Sequence, residues 1–475
     1  MLYNSFSFAF FLVIVFFIYW NVQNKYKAAL LLICSYYFYF GFGVKYVFLL
    51  LFTTVISYVL AIFIENEQKN SRKKVYLTLS CIICLGLLIS FKYLGLIIES
   101  VFTILSVLSI RISEPVVNLL LPVGISFYAF RIISYVADVY YGKVKAERCF
   151  IIYATYVSFF PLIVAGPIER ADKLIPQIKG NHVFNEQKAL YGVKLLLWGY
   201  YKKLVIADNA AKYVDTVYSN VREYAGFNLL LIIFLFTIQI YCDFSGYSDI
   251  AIGTAKLLDI DIERNFRSPY LSGSVKEFWS RWHISLSTWF RDYVYIPLGG
   301  NRCSSVRRNI NLMITFLLSG LWHGANWTFV IWGGIHGIIQ IVEKSIEEKV
   351  GRITKTKIGR VLRTFIVFIF CNLAWVFFRV ESIGDAFYVI CNALDGIINP
   401  KMYFKTQLIS ESNFVILLLE ILVLAVFDFY DKDRDVIKES GKWNKVLQWG
   451  TWVVLGIVVV YFSNRAITDF IYSQF

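Results

Sequence analysis

Long apolar runs separated by short polar loops dominate the chain. A run of about 18 residues crosses a bilayer as a helix, because hydrocarbon offers the backbone no hydrogen-bond partner and a helix supplies its own. The pattern predicts about a dozen segments by this length criterion. They lie near Leu2 to Trp20, Ala28 to Phe40, Val44 to Ile64, Val75 to Ile98, Leu119 to Tyr140 and Phe150 to Ala165. The later ones lie near Ala189 to Ala207, Leu229 to Leu257, Ile310 to Ile341, Val361 to Phe378, Phe414 to Tyr430 and Val446 to Phe462, some of them re-entrant. The first run lacks a basic start and a small-residue cleavage site, so it reads as a retained span. No internal repeat and no separable soluble stretch breaks the series. Residues 1–475 therefore read as a single all-α, polytopic membrane domain.

Composition narrows the function classes. With 58% hydrophobic and only 17% charged residues, the chain is not an ordinary soluble enzyme. The net charge of +14 would raise the question of a nucleic-acid partner, but the cations sit in short loops between apolar runs. The positive-inside rule accounts for them, and no nucleic-acid partner is expected. Lys25 and Lys27 follow the first run, and Lys69, Arg72, Lys73 and Lys74 follow the third. Those loops are expected in the cytoplasm, with the N-terminus outside a multi-pass cytoplasmic membrane protein surrounded by lipid. The cysteines, Cys81 and Cys84 among them, lie mostly in apolar runs and read as buried hydrophobes.

Ionisable residues at membrane depth are costly and tend to mark function. Arg131 and Asp138, seven apart, share a helix face and are candidates for charge compensation or a polar tunnel lining. Asp243 and Asp249, with Ser245 between them, lie about 240° apart on a helix. They face different sides unless Gly246 breaks the helix, and structural pairing with arginine is favoured over acid–base chemistry. Ser274 and Glu277 form a capping box, so a helix is expected from there to just before Pro297. On that helix Lys276, Ser280, His283 and Ser287 would share a face. In the run 310–341, His323 has Ser319 four before it and Asn326 three after, all on one face. Gly320 and Gly324 would admit a neighbouring backbone. His336, thirteen residues past His323, would point to the opposite side of a continuous helix. A buried neutral His suits a general base, although a core His bonded across helices is the plainer reading of this segment alone. The four His show no metal-ligand spacing, and Walker A, G-x-G-x-x-G and G-x-S-x-G motifs are absent. No metal and no bound cofactor are expected.

The strings RWHISLSTWFRDYVYIPLGGNR, GLWHGANWTFVIWGGIHG and YCDFSGYSDIAIG resemble the bacterial membrane-bound O-acyltransferase (MBOAT) family. The likeness extends to LPVGISFYAFRIISYVADVYYG and FFPLIVAGPIERADKLIPQ, so it spans about 121–337, leaving C-terminal helices and a terminal aromatic motif in 338–475. The branch most similar is the membrane subunit of alginate and peptidoglycan O-acetylation. The resemblance implies a ring of tilted helices around a central tunnel, with re-entrant or interfacial helices. It also implies acetyl-CoA as acyl donor, a cell-surface polysaccharide as acceptor and an extracytoplasmic esterase-like transferase as partner. It places the catalytic role on His323, with His283 in support. The string FIYSQF (470–475) is similar to an aromatic motif of this branch, which implies Tyr472 as an acyl carrier. An aromatic anchor at the membrane interface is the alternative for Tyr472. D-alanyl transfer to teichoic acid on the same fold, or export of a polymer or lipid-linked intermediate, are the alternative functions.

Overall fold

Six helices among the described residues are long and apolar enough to cross a membrane: Val44–Asn66, Asn70–Val107, Phe227–Leu257, Lys357–Arg379, Ser412–Asp431 and Lys445–Ser463. Phe6–Asn21 is a shorter apolar helix. The computed structural model describes residues 1–110, 112, 115, 120–346, 356–395, 408–463 and 470–471. Among these every regular element is helical. Large apolar side chains such as Phe48, Val75, Phe365, Leu419 and Ile457 stand exposed on the spanning helices. That surface suits lipid and would be a liability in water.

Several apolar runs break where local chemistry demands it. In the run that includes 120–140, the described residues become helical at Ile125, after Gly124 in the left-handed region. The run from Phe150 is helical only to Ser158, three residues before Pro161, which has no N–H to continue a helix. The run 310–341 is two helices, Ser305–His323 and Trp327–Ser345. Asn326 caps the second by accepting from the Thr328 N–H at 3.0 Å. His323 is thus a helix-terminal residue, and Asn326 lies beyond that helix instead of on a face with it.

By internal packing the chain divides into two units, Met1–Val193 with Ala251–Glu263, and Lys194–Ile250 with Arg264–Phe475. In the first, the helix Ile125–Tyr140 is buried from Ile125 through Val139. A helix apolar on all sides belongs inside a bundle. Its one cation, Arg131, is fully buried and donates to the carbonyls of Tyr156 at 3.0 Å, Val157 at 2.9 Å and Leu162 at 3.2 Å. Tyr156 and Val157 lie in the last turn of the helix Phe150–Ser158, where carbonyls have no intrahelical donor. The guanidinium caps the broken run.

In the second unit the helices Ser305–His323 and Trp327–Ser345 pack as a close hairpin. A Cβ on Gly320 would lie 2.2 Å from the Phe329 carbonyl oxygen, and one on Gly333 the same distance from that of Phe316. The close approach anticipated for Gly320 is met by Gly333, while Gly324 lies under the Phe329 ring. Gly320→Ala and Gly333→Ala are each expected to destabilise the detergent-solubilised protein by about 1–3 kcal/mol. Gly334→Ala, whose Cβ would meet Leu317 at an ordinary 3.5 Å, should leave the unfolding temperature undiminished. Thermal unfolding of the three variants checks this.

Candidate active site

The helix that begins at Val275 opens as its sequence dictates, with the Ser274 hydroxyl accepting from the Glu277 N–H at 3.0 Å. It does not run to Pro297. It stops at Arg281, and a second helix, Ile284–Phe290, follows and passes into a π-helical turn, Arg291–Tyr295. His283 sits at the break with φ +42°, a left-handed conformation costing about 1–2 kcal/mol for a residue with a Cβ. The expected shared face is therefore lost. Lys276 and Ser280 are exposed, Ser287 donates to the Trp282 carbonyl at 3.3 Å, and His283 is fully buried.

The break is organised by Asn265. Its carbonyl accepts the Ile284 N–H at 2.9 Å. Its side-chain Oδ1 accepts the Ser285 N–H at 3.1 Å and the Ser285 hydroxyl at 2.9 Å, and lies 3.2 Å from His283 Nδ1. Around the imidazole stand Phe244 at 4.5 Å, Trp322 at 5.8 Å and Phe266 at 6.3 Å between ring centroids. Burial lowers the His283 pKa to about 3, so the ring is neutral at physiological pH.

Trp322 joins His283 to His323, whose ring lies 5.0 Å from that indole, 5.1 Å from Trp332 and 5.3 Å from Phe378. Also against Trp332, at 4.9 Å, is His336, which accepts from Trp279 Nε1 at 3.2 Å. The helix break at 324–326 folds His336 back into this aromatic cluster, whereas a continuous helix would have turned it away. Ser319, one turn before His323, is buried on the same helix. Asn326 instead turns its amide to the Glu381 carbonyl at 2.9 Å.

The two carboxylates of the helix Phe227–Leu257 are paired with lysines, not arginines. Gly246 does not break that helix; it lets the backbone of Gly199 approach. A π-helical turn, Tyr201–Ala207, presents consecutive lysines inward. Lys202 Nζ lies 2.6 Å from Asp249 and 2.9 Å from the Ser245 hydroxyl. Lys203 Nζ, buried, lies 2.6 Å from Asp243 and 2.8 Å from Asp208. Two adjacent lysines thereby serve two faces of one helix. The second oxygen of Asp243 accepts the Ile471 N–H at 2.9 Å. Phe470 packs on Tyr247 at 4.3 Å and on Phe244 at 5.7 Å, the same Phe244 that covers His283. Tyr472 lies outside the described residues. In the first unit, Arg131 holds carbonyls as above, and Asp138 pairs with Lys143 at 3.3 Å. Among the described residues no three His, Cys, Asp or Glu side chains gather as metal ligands.

The sequence profile of MBOAT, membrane-bound O-acyltransferase family, matches residues 148–383. The protein named probable alginate O-acetylase AlgI of Azotobacter vinelandii is 38% identical over 373 residues, 78% of this chain and 73% of that protein. The peptidoglycan O-acetyltransferase of Helicobacter pylori is 31% identical over 491 residues, 94% of this chain and 91% of that one. The chain belongs to the MBOAT family. It is a multi-pass membrane acyltransferase. A teichoic acid D-alanyltransferase of Streptococcus thermophilus is also similar, 28% identical over 279 residues, 55% of this chain and 66% of that one.

Within this MBOAT chain the residues that sequence reasoning passed over are Lys202, Lys203 and Asn265, and His336 is the one it turned away from the cluster. The lysines carried the signal that singled out Asp243, a charge inside an apolar run. Asn265 carried none, since a loop amide has no period. The buried Lys203 makes the larger energetic demand. Lys203→Met removes the cation that pairs with Asp208 and Asp243 and is expected to cost about 3–5 kcal/mol. Adding Asp243→Asn to Lys203→Met should recover part of the loss. A double-mutant cycle on thermal unfolding measures it.

Proposed function

We propose that this acyltransferase takes an acetyl group from cytoplasmic acetyl-CoA and passes it across the cytoplasmic membrane for O-acetylation of an exported or cell-surface polysaccharide, alginate-like or peptidoglycan. The observation carrying the proposal is that His283 and His323 both pack against Trp322, at 5.8 and 5.0 Å between ring centroids, each at the end of a helix and each among aromatic rings. Two buried imidazoles in an aromatic surround suit the removal of one proton from a hydroxyl. In the proposed step His323 takes the hydroxyl proton while the oxygen attacks the thioester carbonyl. The carbon–sulfur bond then breaks, and the proton passes to the departing thiolate. His283 orients the reactants or shares the transfer. Positioning the two reactants supplies most of the acceleration, and proton removal about 10²- to 10⁴-fold.

Tyr472 is proposed as the first acceptor, delivering the acetyl group to an extracytoplasmic esterase-like transferase. The placement of Phe470 and Ile471 against Phe244 and Asp243 supports a carrier working beside His283. A phenol with a pKa near 10 needs a base to attack at neutral pH, which the site offers. The N-terminus is proposed to face outward, with the basic loops inside. Acetyl transfer is favoured over D-alanyl transfer because the O-acetylating relatives match 78–94% of the chain at 31–38% identity, and the teichoic acid relative matches 55% at 28%.

Two measurements test the proposal. Cells carrying His323→Ala at normal protein levels should lose glycan acetyl esters to background, and unchanged content would sink the reading. Purified protein offered radiolabelled acetyl-CoA should become labelled, and Tyr472→Phe should remove the label. Retention of the label in that variant would move the carrier role elsewhere.

A further inference from the structure

Asn265 lies in a loop between the helix Phe227–Leu257 and the helix Val275–Arg281, and its side chain is buried. The orientation of its amide follows from its partners. The Ser285 backbone N–H can only donate, so the atom it meets at 3.1 Å is the amide oxygen. The other end, Nδ2, donates to the Ser248 hydroxyl at 3.4 Å. An amide oxygen only accepts, so the His283 nitrogen that faces it at 3.2 Å, Nδ1, is the one that carries the proton.

We infer that Asn265 is the positioning residue of this site: it holds His283 in the Nδ1–H tautomer and leaves the lone pair on Nε2, the form in which His283 receives a proton during acyl transfer. The Ile284 N–H on the Asn265 carbonyl fixes the same backbone segment, so ring and backbone are set by one residue. The rings packed on the imidazole, Phe244, Phe266 and Trp322, carry no charge. At Nδ1 the tautomer is set by the amide oxygen, whose orientation the Ser285 N–H fixes. The inference rests on the role proposed above for His283, and it adds the residue that gives His283 its direction.

Two readouts on the full-length protein in lipid bilayers separate this inference from the proposal beneath it. Nitrogen-15 labelling of its four histidines, read by solid-state NMR and assigned with His283→Gln, reports the tautomer without any turnover. The expected result is the Nδ1–H form in the wild type and its loss or mixing in Asn265→Leu. A His283 signal in the Nε2–H form in the wild type overturns the inference, whatever the activity. The second readout is the pH dependence of acetyl transfer. Asn265→Asp sets a carboxylate against Nδ1–H and stabilises the imidazolium, so the acid limb of kcat/KM should move to higher pH by about one unit or more. Asn265→Ala should lose at least about tenfold in kcat with the donor KM little changed. A merely structural asparagine would lower the amount of folded protein in both variants and leave the pH profile of the remainder in place, which also overturns the inference. Wild-type protein that transfers no acetyl group, yet shows the Nδ1–H signal, would instead remove the functional proposal and leave the tautomer assignment standing.

Discussion

Every backbone group removed from water in an apolar body must find a partner, and that requirement governs where this chain is allowed to leave the helix. Helices satisfy themselves; breaks do not. Three breaks are met by a dedicated polar side chain. Arg131 closes the carbonyls freed at the end of Phe150–Ser158. Asn326 starts the helix after His323. Asn265 accepts the N–H groups of Ile284 and Ser285 where the chain restarts after His283. The strain of His283 at φ +42° persists because its surroundings determine it from both sides. A helix end turns a side chain away from the regular ladder, and both histidines of the proposed reaction occupy such ends.

Charge obeys the same rule. Asp243 and Asp249 point from different sides of one helix, and a π-helical turn brings Lys202 and Lys203 to them in consecutive positions. A regular helix separates adjacent side chains by about 100°, and the wider turn alters that spacing locally. Lys203 is enclosed with Asp243 and Asp208, and Asp243 in turn accepts the backbone N–H of Ile471. The ion pair thus fixes a carboxylate whose other oxygen receives the segment carrying Phe470. Structural pairing and placement of Phe470 and Ile471 are one arrangement.

The membrane character, the capping box at Ser274, the small-residue approach at Gly320 and the burial of His323 among apolar residues were all legible in the sequence. Each is announced by a local signal: run length, an S-x-x-E spacing, a glycine, an ionisable residue among apolar ones. The break after Arg281 was not legible, because the segment R-W-H-I-S-L-S holds neither proline nor glycine and its period continues through the break. What stops the helix is Asn265, eighteen positions before His283, and no local window contains both. The same blindness misplaced His336, since the turn at 324–326 reverses the chain, and it assigned arginines to carboxylates that lysines hold. Periodicity sees the face a residue would take if its helix went on. It does not see the distant group that makes stopping affordable.

The aromatic excess gains a chemical meaning from this. Trp322, Trp332, Phe244 and Phe378 stand around His283 and His323 at 4.5–5.8 Å. Rings of this kind exclude water without presenting an acceptor that would compete for the imidazole protons. A carboxylate in their place would hold an imidazole protonated, and an imidazolium has no lone pair for a hydroxyl proton. The amide of Asn265 orients His283 without contributing charge. A neutral orienting group therefore keeps the histidine basic where a charged one would saturate it. Under the proposed reaction, in which the thioester is already activated and only one proton has to move, a pair of buried imidazoles in an aromatic surround is the least equipment that suffices.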